Sequence, residues 1–296
     1  MSAPDISVIM PCFNDGAYLP EAVASLRRAA EENPGLALEL IVIDDGSDDE
    51  ATRAALAQIG FPACRLLRTD HVGPAAARNA GIRAAAGTYI LPLDADDAIE
   101  PAYLPQALAA LAADPGLGIV TCRADFFGAK KGPWEQPAPT LENMLRGNCV
   151  FVTSLFRRAD WERAGGFAED FAAGLEDYDF FLTLMETGLK ALRLDGVYFH
   201  YRIKSVSRSS RLAADPAAAE AAFAKLYQKH AALFAAHMDS LYPALRASEL
   251  TLGEELSGMM ADPVIAWWRT VRALKPKRAA RIERLIAARM NKDNAK

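Results

Sequence analysis

Two segments of the sequence decide the fold: residues 38–47 read LELIVIDDGS and residues 89–97 read YILPLDADD. In each segment a continuous apolar run is followed directly by aspartates. Such runs are typical of strands that are covered on both faces in a parallel sheet. Because ligands of parallel α/β sheets bind at the carboxyl ends of the strands, we expect both groups of acids to lie at one binding edge.

The rest of the first half repeats this strand-helix alternation, which predicts an α/β fold with a mostly parallel, Rossmann-like sheet. Local signals also predict helix boundaries: Ser47 and Glu50 form a capping box, Pro74 begins the third helix, and Gly87 ends it in a left-handed conformation. The predicted strands are Ile6–Met10, Leu38–Ile43, Cys64–Leu67 and Tyr89–Leu93.

After residue 115 the pattern becomes mixed, with apolar segments at Leu117–Phe127 and Cys149–Phe156 and a helix near Glu176–Thr187. From about Ala213 the sequence is alanine-rich and helical. The sequence therefore predicts three parts, residues 1–115, 116–212 and 213–296, the last being a C-terminal helical extension.

Composition excludes several classes of protein. The chain has 296 residues, of which 51% are hydrophobic and 24% charged, and this excludes disorder as the main state. A net charge of -5 gives no general attraction to nucleic acid.

The longest apolar candidate for a membrane span, Pro101–Cys122, is interrupted by a charge, a proline and a glycine, so no membrane span is predicted. The first residues lack a basic start, which predicts a cytoplasmic protein, and four widely spaced cysteines are expected to be free thiols.

The last 33 residues, Val264–Lys296, differ sharply in charge. They contain ten Lys or Arg and two acids, a local net charge of +8, which leaves -13 for residues 1–263. Trp267 and Trp268 stand beside this basic run. The composition suits peripheral contact with an anionic membrane surface, and a solvated basic helix that packs its tryptophans on the main domain is the alternative.

The acids after the strands suggest a metal site. In an extended segment Asp94 and Asp96 would face the same side, with about 7 Å between their Cα atoms. Crowded carboxylates attract a hard divalent cation such as Mg²⁺ or Mn²⁺, which prefers oxygen ligands. Turn formation at Asp45 and helix capping by Asp97 are the alternatives, but neither requires acids in pairs.

A third acidic group, Glu176-Asp177-Tyr178-Asp179, opens the predicted helix near residue 176. The helical spacing places Asp177 on the same face as Phe181 and Leu184, which is unusual for an acid. An ionised, partly desolvated carboxylate can act as a general base toward a hydroxyl. An acidic first turn that favours the helix dipole is the alternative.

In order along the chain, six motifs resemble those of the family 2 glycosyltransferases, which have the GT-A fold. The resemblance covers roughly residues 5–210. The matching segments are residues 6–14 with 18–21, the D-D-G-S of residues 44–47, the A-R-N-x-G of residues 77–81, the L-D-x-D-D of residues 93–97, the G-G-F of residues 165–167 and the E-D-x-D of residues 176–179.

The resemblance implies a donor site and roles for its residues. Pro11, Phe13 and Asp45 would frame the base of a nucleotide diphosphate-sugar, and Asn14 belongs to the same opening motif. Arg78 would contact the nucleotide.

The same resemblance implies the chemistry. Asp94 would reach the ribose or a metal-bound water, and Asp96 would ligate Mg²⁺ or Mn²⁺. Asp177 would deprotonate the acceptor. Many relatives read Y-R-x-H near the end of the catalytic region, whereas Tyr201-Arg202-Ile203-Lys204 places a lysine there. A protonated lysine cannot ligate a metal, so Lys204 would pair with the diphosphate directly.

Together these expectations describe an inverting, metal-dependent transferase that moves one sugar from a donor, most simply a UDP-sugar, to a hydroxyl of a glycan or lipid-linked acceptor in polysaccharide or glycolipid assembly. Residues 1–115 would bind the nucleotide-sugar and residues 116–212 the acceptor. The first alternative is a catalytically degenerate scaffold that binds nucleotide-sugars. The second is a sugar nucleotidyltransferase, which is less favoured because the sequence has no G-x-G-T-R-like loop near the first strand. The oligomeric state is not legible in the sequence.

Overall fold

The computed structural model describes residues 3–171, 173–204, 212 and 214–243. The chain divides into two compact units, Met1–His237 and Met238–Lys296, and the fold and site described below belong to the first. The predicted divisions at residues 115 and 212 stay predictions, and the basic segment Val264–Lys296 lies outside the described residues.

The described residues of the first unit form an α/β fold around one sheet. Its strands are β1 (Ile6–Cys12), β2 (Leu38–Asp44), β3 (Cys64–Arg68), β4 (Tyr89–Pro92), β5 (Ala98–Ile99), β6 (Leu117–Gly128), β7 (Gly132–Trp134), β8 (Leu155–Arg157) and β9 (Lys190–Ile203). Its helices are α1 (Leu19–Glu32), α2 (Glu50–Ala57), α3 (Pro74–Ala84), α4 (Tyr103–Ala113), α5 (Leu141–Arg146), α6 (Arg158–Ala164), α7 (Glu176–Glu186), α8 (Pro216–Lys229) and α9 (Ala231–Ala236).

The strand order is β3-β2-β1-β4-β8-β6-β9-β5, and β7 pairs with β6. Strands β1 to β4 pair in parallel, as do β6 and β9, whereas β8 joins the two groups by antiparallel pairing. The predicted mostly parallel sheet flanked by helices is confirmed. Of the predicted helical segment 213–296, the described residues up to 243 contain α8 and α9, and the rest lies outside the described residues. Among the described residues no helix is long and apolar enough to cross a membrane.

The central strands are buried because their apolar runs are covered on both faces. In β2 the four residues Leu40–Ile43 are fully buried, and Asp44 is only 3% exposed. Helix α3 packs closely on β1 and β2, since a Cβ at Gly81 would lie 2.6 Å from Ile43 and 2.7 Å from Ile9. The acids at the ends of β2 and β4 are thereby fixed at one edge of the sheet, on either side of β1.

Two of the three boundary predictions were wrong. The cap of α2 is Asp49, whose carboxylate accepts from the backbone N–H of Thr52, because the hydroxyl of Ser47 instead accepts from the backbone N–H of Asn14. Helix α3 ends through Ala85 in an extended conformation, not through Gly87. Pro74 does occupy the first turn of α3, as predicted.

Gly87 has a different reason for being glycine. A Cβ there would lie 2.5 Å from the Ser7 hydroxyl oxygen and 2.7 Å from the Ser7 backbone nitrogen. The same hydroxyl accepts from the Gly87 N–H at 2.8 Å. Close approach to β1, not a left-handed backbone, requires this residue.

Candidate active site

The turn after β4 carries the acids of the predicted metal site. Strand β4 ends at Pro92, and the Asp97 N–H donates to the Asp94 carbonyl at 3.1 Å, so this segment is a turn. The extended geometry predicted for Asp94 and Asp96 was therefore wrong, because the aspartates satisfy a turn in place of a continued strand. The turn still crowds their charges: burial, and then the charge of Asp94, raise the pKa of Asp96.

Asp97 is buried in this turn and anchors it to β9. Its carboxylate accepts from the backbone N–H of Arg202 at 2.8 Å. Burial, and then the charges of Asp96 and Asp94, raise the pKa of Asp97 well above its usual range. Asp97 therefore acts as a structural acid that holds the turn against the sheet, and not as the cap of α4.

Arg78 joins Asp94, in the turn after β4, to the start of α7. Its guanidinium donates to Asp94 at 2.7 Å and to Glu176 at 2.8 Å, and its side chain is 4% exposed. Burial alone would lower the pKa of Arg78, but the charges of Asp94 and Glu176 raise it above its ordinary value. Because Glu176 directly precedes Asp177, one side chain places the end of β4 and the candidate base on the same side of the molecule.

Asp177 itself is half-buried in the first turn of α7. Its carboxylate accepts from the side-chain amide of Asn148 at 3.2 Å and from the backbone N–H of Tyr178 at 2.8 Å. The second contact places the carboxylate at the N-terminus of α7. Asn148 was missed by the sequence reasoning, because a single asparagine in a loop carries no motif.

A second region of predicted site residues lies at the ends of β1 and β2. Phe13 is 39% exposed, and the centroid of its ring lies 4.0 Å from that of His71. Asn14 has a positive φ of 56° and its side chain donates to Asp48 at 2.8 Å, which locks the loop after β1 to the loop after β2. An exposed aromatic ring on a rigid loop offers a stacking surface for a base.

Asp45 holds the loop that follows β3 in this region. It is 4% exposed, and its carboxylate accepts from the hydroxyl of Thr69 and from the backbone N–H groups of Val72 and Gly73 at 2.7, 2.7 and 2.9 Å. These bonds fix the loop that carries His71. Pro11, also predicted to frame a base, lies within β1 opposite Ile43.

Lys204 follows β9 and points back at the acids. Its ammonium lies 2.7 Å from Asp15 and 2.7 Å from Asp96, and 5.4 Å from the centre of the Tyr18 ring. Burial opposes its charge, but the hydrogen bonds to Asp15 and Asp96 outweigh burial and raise the pKa of Lys204. The predicted site residues Asp96 and Lys204 are thus brought together, and Asp15 is a partner that sequence reasoning missed.

His200 stands four residues before Lys204 but contacts other acids. Its Nδ1 lies 2.6 Å from Asp125 and its Nε2 lies 2.9 Å from Glu100. Both ring nitrogens are engaged by carboxylates on β6 and beyond β5. His200 therefore links β6 to the residue that follows β5.

The described strands and helices define a class of fold, the GT-A fold. A crystal structure of S. aureus TarS 1-349 in complex with UDP-GlcNAc resembles the fold with a TM-score of 0.58, at 21% identity over 70% of this chain and 60% of that one.

Sequence comparison gives the family. Residues 7–173 match the model of glycosyl transferase family 2, and the chain belongs to that family. An uncharacterized glycosyltransferase, YibD of Escherichia coli (strain K12), is 33% identical over 55% of this chain, which spans only 44% of YibD. The succinoglycan biosynthesis protein ExoO of Rhizobium meliloti (strain 1021) is 28% identical over 96% of this chain and 88% of its own length.

Proposed function

We propose that this protein transfers a sugar, with inversion, from a UDP-sugar to a hydroxyl of a glycan or lipid-linked acceptor during polysaccharide or glycolipid assembly. The observation that carries the proposal is the bridge of Arg78 between Asp94 and Glu176, which brings the donor-side acids and Asp177 to one site. The similarity to ExoO, a succinoglycan biosynthesis protein, supports the pathway, and the similarity to TarS in complex with UDP-GlcNAc supports the donor.

In the proposed donor complex the base stacks on Phe13, framed by Pro11 and the Asp45 loop, and Asn14 holds the loop that presents the ring. Lys204 pairs with the diphosphate. An ammonium group contributes a charge-assisted hydrogen bond to a phosphate oxygen, which is stronger than a neutral one.

Mg²⁺ or Mn²⁺ is part of the proposal, with Asp96 and Asp94 as the residues that would hold it. Two carboxylates supply the oxygen ligands that such ions prefer. Burial, and then the charge of Asp94, raise the pKa of Asp96, so a cation beside it would stabilise its ionised form. No cluster of three or more protein ligands occurs within the described part of the chain, so donor oxygens would complete the coordination. When bound, the ion would neutralise charge on the leaving diphosphate.

Asp177 is the proposed general base. Its carboxylate takes the proton of the acceptor hydroxyl as that oxygen attacks the anomeric carbon. The bond from the anomeric carbon to the diphosphate oxygen breaks and its electron pair leaves with UDP. A single displacement from the face opposite the leaving group inverts the anomeric centre.

The proposal is tested by incubating the protein with a panel of nucleotide-sugars and Mn²⁺ and measuring release of nucleoside diphosphate. UDP-linked donors should give the release, and NMR of the product should show the opposite anomeric configuration. A retained configuration would contradict the mechanism. Donor binding without any release, across acceptor mixtures, would favour the scaffold alternative.

Peripheral membrane contact through Val264–Lys296 is a separate part of the proposal, supported by the basic charge of that segment. The full chain should bind vesicles that contain anionic lipid more strongly than a chain shortened after Pro263. Equal binding by the two chains would remove this part and leave the catalytic proposal intact.

A further inference from the structure

The strongest unexplained feature of the candidate site is the position of Lys204 beside the acids that follow β1 and β4. Its ammonium contacts one carboxylate from the loop after β1, Asp15, and one from the turn after β4, Asp96, each at 2.7 Å. Its side chain is 21% exposed, so part of it remains accessible to solvent. A cation already occupies the acidic edge of the sheet.

The fold holds Lys204 in this place through its neighbour. The Arg202 guanidinium donates through Nε to the Asp96 carbonyl at 2.8 Å, and the backbone N–H of Arg202 donates to Asp97. The Arg202 guanidinium carbon also lies 4.8 Å from the centre of the Tyr18 ring and 4.1 Å from that of Phe127. The end of β9 is thus locked to the acidic turn, which fixes the register that brings the next lysine to Asp96.

We propose that Lys204 is a built-in counter-cation of the donor site, which binds the donor diphosphate in the absence of a divalent ion and competes with Mg²⁺ or Mn²⁺ for Asp96. The inference rests on the proposed donor site. The ammonium, 2.7 Å from an Asp96 oxygen, neutralises the charge that would attract the ion, and it would repel a second cation on the same carboxylate.

The proposal predicts that the ion adds little to donor binding in this protein. When the lysine charge is removed, Asp96 regains its full attraction for a divalent ion, and the diphosphate loses its resident cation. Donor binding should then become dependent on the metal. A lysine that only fastens β9 to the loop after β1 would change stability without changing metal dependence.

The experiment measures UDP binding by titration calorimetry, with Mn²⁺ or with a chelator, in four full-length proteins: wild type, Lys204→Met, Lys204→Arg and Lys190→Met. Lys190 is an exposed residue at the opposite end of β9 and serves as the matched control. Circular dichroism and thermal unfolding confirm that each variant is folded. Mn²⁺ binding without nucleotide is measured separately by electron paramagnetic resonance.

Chelation should change the UDP dissociation constant of wild type, Lys204→Arg and Lys190→Met by less than about threefold, and that of Lys204→Met by about tenfold or more, which is the scale of one charge-assisted hydrogen bond. Lys204→Met should also bind Mn²⁺ about tenfold more tightly than wild type does.

Wild-type binding of UDP that disappears on chelation would overturn the counter-cation proposal while supporting the donor site. The same metal response in Lys204→Met and wild type would also overturn it. Absence of UDP binding by wild type under both conditions would overturn the proposed function itself, and this inference with it.

Discussion

The Arg78 bridge gives a quantitative prediction, since the guanidinium is the charge partner of two carboxylates at a buried site. Arg78→Met removes the hydrogen bonds to Asp94 at 2.7 Å and to Glu176 at 2.8 Å, and the Glu176 side chain is only 6% exposed. Both carboxylates then lose the positive charge of Arg78. Breaking a buried ion pair by removing one partner costs about 3–5 kcal/mol, so the free energy of unfolding should fall by about that amount at pH 7.5. Urea denaturation followed by circular dichroism measures the difference.

The matched control is Arg83→Met on the same helix. Arg83 pairs with Glu169 at 3.3 Å, but the two side chains are 62% and 48% exposed, so the loss should be below about 1 kcal/mol. Lowering the pH should narrow the difference in unfolding free energy between Arg78→Met and wild type, because protonation removes the carboxylate charges that Arg78 neutralises in the wild type. Equal losses in the two variants would refute the claim that Arg78 is the electrostatic centre of the site.

Two further predictions concern stability. His230 lies between Asp179 and Glu186, each 3.1 Å away, and although burial opposes it, the hydrogen bonds raise the pKa of His230. This stabilisation is complete below the unfolded pKa of about 6.5 and is lost as pH rises through the folded pKa. His230→Gln should therefore be less stable than wild type at pH 5.5 and closer to it at pH 9, while Lys229 stays bound to Asp179 at both values. A free-energy difference between the two proteins that is the same at both pH values in urea denaturation would contradict this. Gly87→Ala should cost about 1–3 kcal/mol, because its Cβ would lie 2.7 Å from a β1 backbone nitrogen, and an unchanged thermal midpoint would show that β1 can yield.

Local sequence patterns were sufficient to predict the strands of the sheet and the placement of the acids at or just after the ends of β2 and β4. The apolar runs before Asp44 and Asp94 form strands that end close to the predicted residues, β2 at Asp44 and β4 at Pro92. Helix α7 begins at Glu176, as its acidic first turn indicated. These features depend on side chains that are close in sequence, and their burial follows from periodicity alone.

Contacts between distant segments could not be predicted in the same way. The hydroxyl of Ser47 is used by Asn14, 33 residues away, so the local capping box does not form and Asp49 caps α2. Lys204 meets Asp15 across 189 residues of sequence, and no periodicity encodes that pairing. The roles of such residues become visible only when the strand register is known.

The central claim is that Asp177 acts as the base in transfer from a UDP-sugar. The direct test compares UDP release and UDP binding in wild type, Asp177→Asn and the control Asp195→Asn, whose carboxylate is 99% exposed.

We expect wild type and Asp195→Asn to release UDP at the same rate and all three proteins to bind UDP alike. Asp177→Asn should be slower by about 100-fold or more, the usual contribution of general base catalysis. Release by Asp177→Asn at the wild-type rate would contradict the account.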